Sequence, residues 1–187
     1  MVMKTKRLIL RQWCEADFAP FARMNADPEV MRYFPSVLSD EESHALAQRG
    51  HDLIAQKGWG IWALEAQKDN RFLGFVGLHA QAADSGLPDA PFIEIGWRLC
   101  ASSWGNGFAT EAAHCALQFA FEQLDVSAVY ALTALVNVPS QRVMQKLGMQ
   151  NTGKDFDHPK LAKGHRLERH CLYRLEKAQW RHQLAPK

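Results

Sequence analysis

Residues 92–99 of this chain read Phe-Ile-Glu-Ile-Gly-Trp-Arg-Leu, and residues 104–112 read Trp-Gly-Asn-Gly-Phe-Ala-Thr-Glu-Ala. The first stretch predicts an apolar strand, and the second predicts a turn that opens a helix. Gly105 and Gly107 have no Cβ, so the backbone bends tightly there and a ligand can approach its amides closely. The first N–H groups of a helix lack internal partners and lie at the positive end of its dipole. The pattern therefore predicts a phosphate or diphosphate site, although two glycines before a helix are also typical of an ordinary turn.

The composition indicates one globular domain spanning residues 1–187, with 47% apolar and 22% charged residues. A formal net charge of +2 argues against nucleic-acid binding, and no apolar run reaches membrane-spanning length. The four cysteines form no Cys-x-x-Cys pair, which is typical of reduced thiols. We therefore expect a soluble cytoplasmic protein with neither a nucleic-acid nor a membrane partner.

Hydrophobic periodicity predicts the elements that surround this segment. The capping box of Ser39 and Glu42 starts a helix that should end near Gly58, and Asp27-Pro28-Glu29 predicts a short helix before it. Strands are expected at 7–11, 59–64, 72–79, 93–99, 126–135 and 165–175, and further helices at 15–25, 110–124 and from Pro139 to just before Gly148. This order indicates an α+β or α/β fold with helices on both faces of a sheet.

Further along the chain, residues 137–149 read Asn-Val-Pro-Ser-Gln-Arg-Val-Met-Gln-Lys-Leu-Gly-Met. The glycine spacing of the first segment is neither the dinucleotide fingerprint nor the P-loop. Taken together, the two segments resemble the acetyl-CoA-binding core of the GNAT-type N-acetyltransferases. The opening Thr-Lys-Arg-Leu-Ile-Leu-Arg at 5–11 and the turn sequence are similar to the ribosomal-protein-alanine N-acetyltransferase-like branch. The resemblance extends from about Thr5 to Leu175.

This resemblance implies a single GNAT-like domain, with a mixed and mostly antiparallel central sheet and helices on both faces, and it implies acetyl-CoA as the co-substrate. Its diphosphate would bind backbone amides of the turn, and its pantetheine arm would lie along the strand end like an added strand. The family begins its turn with Arg or Gln where this chain has Trp104. The implied cofactor-binding residues are Trp97, Arg98, Leu99, Trp104, Gly105, Asn106, Gly107, Phe108, Ala109, Thr110, Asn137 and Ser140.

Glu94 is the candidate general base, because it is the only acid in an apolar strand. Burial raises the pKa of a carboxyl group, as deprotonation of an ammonium substrate requires. The alternative is a glutamate on the exposed face of the strand, paired with an arginine.

Ser140 is the candidate acid for the leaving thiolate. Many GNAT relatives carry a tyrosine seven positions after the asparagine that matches Asn137, and this chain has Met144 there. By resemblance, Ser140 replaces that tyrosine and Asn137 contacts pantetheine. The alternatives are protonation by water and an ordinary capping role for both residues.

We expect the histidines to be isolated surface or core residues, since His165 and His170 lack the spacing that places two ligands on one helix face. No metal is therefore expected. The resemblance implies an acetyl-CoA-dependent N-acetyltransferase acting on a primary amine, with the α-amine of a protein N terminus favoured. The alternatives are a small-molecule amine acetyltransferase (acting on an antibiotic, a polyamine or an amino-acid-like toxin) and a non-catalytic acyl-CoA-binding regulator. Either a monomer or a homodimer is compatible, and acceptor choice is assigned to segments 26–39 and 82–91.

Overall fold

The computed structural model describes residues 2–184, and within that range the chain forms nine strands and five α-helices. The strands are β1 (Met3–Lys4), β2 (Leu8–Arg11), β3 (Ile61–Ala66), β4 (Phe72–Gln81), β5 (Phe92–Leu99), β6 (Ala128–Ala134), β7 (Gln150–Asn151), β8 (Phe156–Asp157) and β9 (Arg169–Glu176). The helices are α1 (Glu15–Ala26), α2 (Asp40–Lys57), α3 (Phe108–Glu122), α4 (Val138–Lys146) and α5 (Lys177–Leu184), and Ala101–Ser103 form a short 3₁₀ helix.

The sheet is mixed and mostly antiparallel. Its strand order is β1-β2-β3-β4-β5-β6-β9-β7, with β8 also paired to β9. Strands β5 and β6 run parallel, whereas β2–β3, β3–β4 and β6–β9 run antiparallel. This confirms the fold class that the sequence predicts. By contact density the chain divides into a first unit, residues 1–78 with 96–116, and a second unit, residues 79–95 with 117–187.

The first unit has helices α1 and α2 packed together and α2 packed on β3. The predicted capping box is present, because Ser39 accepts a hydrogen bond from the backbone of Glu42 and Glu42 accepts one from the backbone of Ser39. A buried ion-pair network fixes the start of α1 on the sheet. In it the Arg11 guanidinium contacts Asp17 at 2.7 Å and Glu65 at 2.7 Å. Burial of charge is tolerated here because each group has an opposite charge as its partner.

The second unit is built around the long antiparallel pair of β6 and β9. Its apolar core includes Phe92, Phe156 and Leu172, and the ring of Tyr130 stacks on Phe92 with centroids 4.5 Å apart. Helix α5 packs on β9 and buries Trp180.

The predicted short helix after Asp27-Pro28-Glu29 is absent. Residues 28–33 form turns instead, and the Asp27 carboxylate accepts a hydrogen bond from the backbone of Glu29. A side chain that bonds to its own local backbone competes with helix formation. The predicted last strand at 165–175 begins later, at Arg169, because residues 161–168 form turns closed by bonds such as Glu168 N to His165 O.

Candidate active site

The predicted site residues fall into two groups, each inside one unit. The first unit holds the strand end Trp97–Leu99 and the turn with the start of α3, residues 104–110. The second unit holds Glu94, Asn137 and Ser140. Each group has a local geometry that can be compared with its predicted chemistry.

The glycine turn has the backbone geometry expected for an anion site. Gly105 and Gly107 have φ values of 77° and 75°, a left-handed conformation that side chains other than glycine rarely adopt. A Cβ atom on Gly105 would meet nothing within 4 Å, so open space faces the backbone there. Helix α3 begins directly afterwards at Phe108. Exposed amides at the start of a helix, with space in front of them, can bind a phosphate group.

Trp104 and Asn106 fix the shape of this turn. The Trp104 indole Nε1 donates a hydrogen bond to the Leu99 carbonyl oxygen at 3.0 Å. The Asn106 side-chain amide donates to the carbonyl oxygens of Ser103 and Trp104. Trp104 therefore ties the turn to the strand end through its indole N–H.

Arg7 lies beside the turn, a neighbour that the sequence pattern did not reveal. Its Nη2 atom is 3.7 Å from the position of a Cβ on Gly107, and its guanidinium lies 4.6 Å from the centre of the Phe108 ring. It is held by Glu111, at 2.6 Å. Burial raises the pKa of Glu111, but hydrogen bonds from Thr5 and Arg7 outweigh it and the net effect lowers the pKa. Only tertiary pairing of two distant segments could identify this cation.

The strand end Trp97–Leu99 is closely fitted to strand β4. A Cβ on Gly74 would lie 2.1 Å from the Arg98 carbonyl oxygen, so no other residue fits at position 74 without backbone movement. The Cys100 amide donates to the Leu73 carbonyl oxygen at 2.9 Å. Strand β4 thus fixes the backbone that is predicted to run beside pantetheine.

Glu94 is half-buried on β5, and the Gln81 side-chain amide donates a hydrogen bond to its Oε2 at 2.5 Å. Burial raises the pKa of Glu94, while the Gln81 hydrogen bond and the positive charge of Lys160 partly oppose that rise. The alternative of an exposed glutamate paired with an arginine does not describe this environment. A carboxylate with a raised pKa is suited to accept a proton near neutral pH.

The parallel ladder between β5 and β6 ends at Glu94. It contains the pairs Ile93 with Val129 and Glu94 with Tyr130. Within the second unit, β6 then continues to Ala134 with partners on β9. The β5 residues of the second unit form no ladder pair with β6 beyond Tyr130. From there on, β6 is paired with β9 on one side, and β5 residues of this unit do not pair with its other side. Such an edge accepts an extended ligand as an added strand.

Asn137 and Ser140 come together at the start of α4. The Asn137 side-chain oxygen accepts a hydrogen bond from the Ser140 backbone at 3.2 Å, and its amide donates to Thr133 Oγ1 at 2.9 Å. Asn137 is therefore a helix cap, and contact with pantetheine stays a prediction. Ser140 is half-buried, whereas Met144 is 1% exposed and packs in the core. Glu94 and Ser140 share no hydrogen bond over the described residues.

Two further observations concern the rest of the described chain. Over residues 2–184, no group of three or more His, Cys, Asp or Glu side chains is arranged to hold a metal ion. Nor does any helix in that range have the length and apolar character needed to span a membrane.

Comparison with known proteins gives consistent matches. Residues 7–150 match the family model described as acetyltransferase (GNAT) domain. The chain is 29% identical to the uncharacterised N-acetyltransferase YoaA of Bacillus subtilis over 154 residues, which cover 81% of this chain and 84% of YoaA.

Two solved structures show the same fold. A GNAT-family acetyltransferase from Bacillus anthracis superposes with a TM-score of 0.79 at 23% identity, covering 95% of this chain and 99% of that one. RimL, described as a ribosomal L7/L12 α-N-protein acetyltransferase in complex with coenzyme A, superposes with a TM-score of 0.74 at 16% identity, covering 94% and 98%.

Proposed function

Because this chain belongs to the GNAT acetyltransferase family, we propose that it transfers the acetyl group of acetyl-CoA to a primary amine, with the α-amine of a protein N terminus as the acceptor. Acetyl-CoA supplies the activated thioester. The reaction forms a bond between the amine nitrogen and the acetyl carbon and breaks the bond between that carbon and sulfur. The acceptor class is supported by the fold shared with RimL.

The observation that carries the proposal is the turn at Gly105 and Gly107. Its left-handed backbone and the open space before Gly105 suit the diphosphate of acetyl-CoA, and the amides at the start of α3 would donate to it. The Arg7 guanidinium, which is paired with Glu111, lies beside Gly107 and could donate a further hydrogen bond to a phosphate there. The C-terminal end of strand β5, Trp97–Leu99, would position pantetheine.

Glu94 would accept the proton of the ammonium form of the acceptor, directly or through one water. Its raised pKa makes the proton transfer more favourable than it would be to an exposed glutamate. Ser140 would donate a proton to the leaving sulfur, with water as the alternative donor. Asn137 holds the start of α4 through its cap and so fixes the position of Ser140.

The test is an acceptor screen with the purified protein and acetyl-CoA, in which free thiol release is measured. Peptides with a free N terminus are compared with the same peptides blocked at the N terminus, and with polyamines, aminoglycosides and amino acids. Mass spectrometry locates the acetyl group. We expect acetylation of the peptides with a free N terminus and of none of the blocked peptides. Turnover of small amines alone would assign the protein to the small-molecule class, and binding of acetyl-CoA without acetyl transfer to any amine would contradict the proposal.

A further inference from the structure

The Arg98 side chain is a half-buried cation that the proposed reaction does not use. Its guanidinium carbon lies 4.0 Å from the centre of the Phe34 ring and 5.4 Å from that of Phe75. One of its nitrogens, Nη1, donates to Asn25 Oδ1 at 2.6 Å. The Nε atom is buried and has no hydrogen-bond partner. The guanidinium therefore retains hydrogen-bonding capacity that the protein does not satisfy.

Within the described part of the chain, no acidic side chain balances this charge. Over residues 2–184, the Arg98 guanidinium has no carboxylate within 4.0 Å. Burial lowers the pKa of Arg98 to about 10, so the group stays protonated at neutral pH. Arg11 in the same unit differs, because it contacts both Asp17 and Glu65. A buried charge without an opposite charge is unfavourable, and an anion from outside the chain would remove that penalty.

The neighbours of Arg98 are fixed in a way that favours an external anion. Asn25 is fully buried, and its amide nitrogen donates to Ser43 Oγ at 3.2 Å. This donation orients the Asn25 oxygen toward Arg98 Nη1. Nε is buried, whereas Nη2 is not among the buried unpartnered atoms and has no hydrogen-bond partner over residues 2–184, so Nη2 is the nitrogen that an external anion would contact first. A guanidinium held at one nitrogen can still bind a carboxylate through its other N–H groups.

The position of Arg98 identifies the source of that anion. Phe34, which covers the guanidinium, belongs to the segment between α1 and α2, which the sequence analysis assigns to acceptor choice. The backbone of Arg98 belongs to the strand end expected beside pantetheine. An anion at this side chain would therefore be part of the acceptor, since the phosphates of acetyl-CoA are assigned to the turn at Gly105 and Gly107.

We propose that the Arg98 guanidinium binds a carboxylate of the acceptor, so that the preferred substrates are primary amines that also carry a carboxylate. This inference rests on the proposed acetyl transfer and adds the acceptor's chemistry to it. In a peptide the carboxylate would come from an acidic side chain close to the N terminus. In a free amino acid it would be the α-carboxylate. Both present the same group to Arg98.

The first experiment needs only the parent protein. Two N-terminal peptides that differ by glutamate or glutamine at the second position are compared as acceptors, together with a free amino acid and its amide. Charge-assisted hydrogen bonds predict a preference of about tenfold to a hundredfold in kcat/KM for the carboxylate form. A preference within the peptide pair identifies the side-chain source, and one within the amino-acid pair identifies the α-carboxylate. Equal kcat/KM within both pairs would overturn the proposal.

The second experiment uses Arg98→Gln with Arg71→Gln as its control. Arg71 is an arginine of the first unit that is exposed and paired with Asp69 at 3.8 Å. We expect Arg98→Gln to raise KM for the preferred carboxylate acceptor and abolish the preference. KM for acetyl-CoA should stay unchanged, because only the backbone of Arg98 is expected beside pantetheine, and Arg71→Gln should keep the preference. Equal losses on both peptides, or a changed KM for acetyl-CoA, would assign Arg98 a structural role instead.

The outcomes separate this inference from the proposed function. Acetylation with equal kcat/KM within the peptide pair and within the amino-acid pair contradicts the role of Arg98 alone. If none of the four acceptors is acetylated, the proposed function fails, and calorimetric binding of both pairs at saturating coenzyme A still tests Arg98. Equal affinities within both pairs would reject the carboxylate site. If Arg98→Gln fails to fold, the comparison made with the parent protein decides.

Discussion

Gln81 on β4 donates its side-chain amide to the carboxylate of Glu94 on β5. The hydrogen bond favours the ionised form of Glu94, whereas burial favours the protonated form, and the net result is a raised pKa. Gln81 is thus a positioning residue for the candidate base. It holds one carboxylate oxygen and leaves the other oxygen for a substrate proton or a water.

Replacing Glu94 with glutamine should lower kcat by about 10²–10⁴-fold, the usual range for loss of a general base. The activity of the parent should rise with pH through the raised pKa of Glu94, and this rise should vanish in the variant. The measurement is kcat as a function of pH. Glu122→Gln is the control, because Gln118 donates to Glu122 in the same manner but on an exposed helix face. An unchanged pH profile in Glu94→Gln would remove Glu94 from the mechanism.

The same substitution has a consequence for stability. The folded-state pKa of Glu94 is raised, so the parent has its full stability from this group below the unfolded pKa, near 4.3. That stability is lost as the pH rises through the folded pKa. The parent should therefore lose free energy of unfolding relative to Glu94→Gln as the pH rises from acidic to alkaline values. Urea denaturation of both proteins across this pH range measures the difference. A difference that does not change with pH would contradict the raised pKa of Glu94.

Gly107→Val should abolish binding of coenzyme A. Valine places a branched side chain in the turn beside Arg7, where the diphosphate is proposed to bind, and the left-handed backbone at this position costs a residue other than glycine about 1–2 kcal/mol. Gly58→Val carries the same backbone cost, since Gly58 has a φ of 77° and nothing within 4 Å of its Cβ position. Calorimetry with coenzyme A should show lost affinity for the first variant and parent affinity for the second. Equal affinities would exclude the turn as the diphosphate site.

Ser140→Ala should slow turnover by about tenfold and leave the affinity for acetyl-CoA unchanged, since a thiolate leaves readily and water can donate the proton. The control is Ser127→Ala, which alters an exposed serine next to β6. Steady-state kinetics and a binding titration check the two halves of the prediction. A variant as fast as the parent would leave Ser140 as an ordinary residue of the helix start.

The paired rings of His158 and His170, 4.7 Å apart, should make the protein sensitive to acid. Burial, the neighbouring His170 and Lys160 lower the pKa of His158 to about 4. A lowered pKa contributes stability that is present above the unfolded pKa, near 6.5, and lost as the pH falls toward 4. The loss is below about 3 kcal/mol, because the ring is partly exposed and screened. The free energy of unfolding is measured at pH 7 and at pH 4. The difference between the two values should be smaller in His158→Gln than in the parent. The control is His182→Gln, which changes an exposed ring and should behave like the parent.

Asp17→Asn should lower the free energy of unfolding by about 2–3 kcal/mol, because the 2%-exposed carboxylate loses its charged bond to Arg11 while Glu65 keeps part of the network. Urea denaturation measures the change. Asp52→Asn alters a carboxylate that is exposed beside His51 and should have little effect. Equal losses in the two variants would contradict the role of burial.

Local sequence determined the elements whose signals are local. The capping box of Ser39 and Glu42 fixed the start of α2, and the left-handed Gly58 fixed its end. The apolar run at 93–99 predicted β5. The glycine turn predicted that a helix follows, and α3 begins at Phe108, two residues before the expected start at Thr110. In each case the groups that hydrogen-bond to the backbone lie within a few residues of one another, so a short stretch of sequence is enough to predict the element.

The smallest strands could not be predicted from sequence. Strands β1, β7 and β8 have two residues each, too few for a periodic pattern, and they exist because β2 or β9 offers an edge to pair with. Helix α5 was also missed, since its residues are mostly polar and its stability comes from burying Trp180. Tertiary packing supplied what local preference did not.

The sequence by itself indicated the family, predicted acetyl-CoA as the co-substrate and fixed the residue types available for catalysis, because all three follow from short motifs. The tertiary structure alone decided the environments. It placed the Gln81 amide on Glu94, Arg7 beside Gly107, and Arg98 against Asn25 with no carboxylate of residues 2–184 beside it. The pKa of a group and the ligands it can bind depend on burial and on neighbours from distant parts of the chain. No local pattern encodes those neighbours, because they meet only when the sheet and helices are packed.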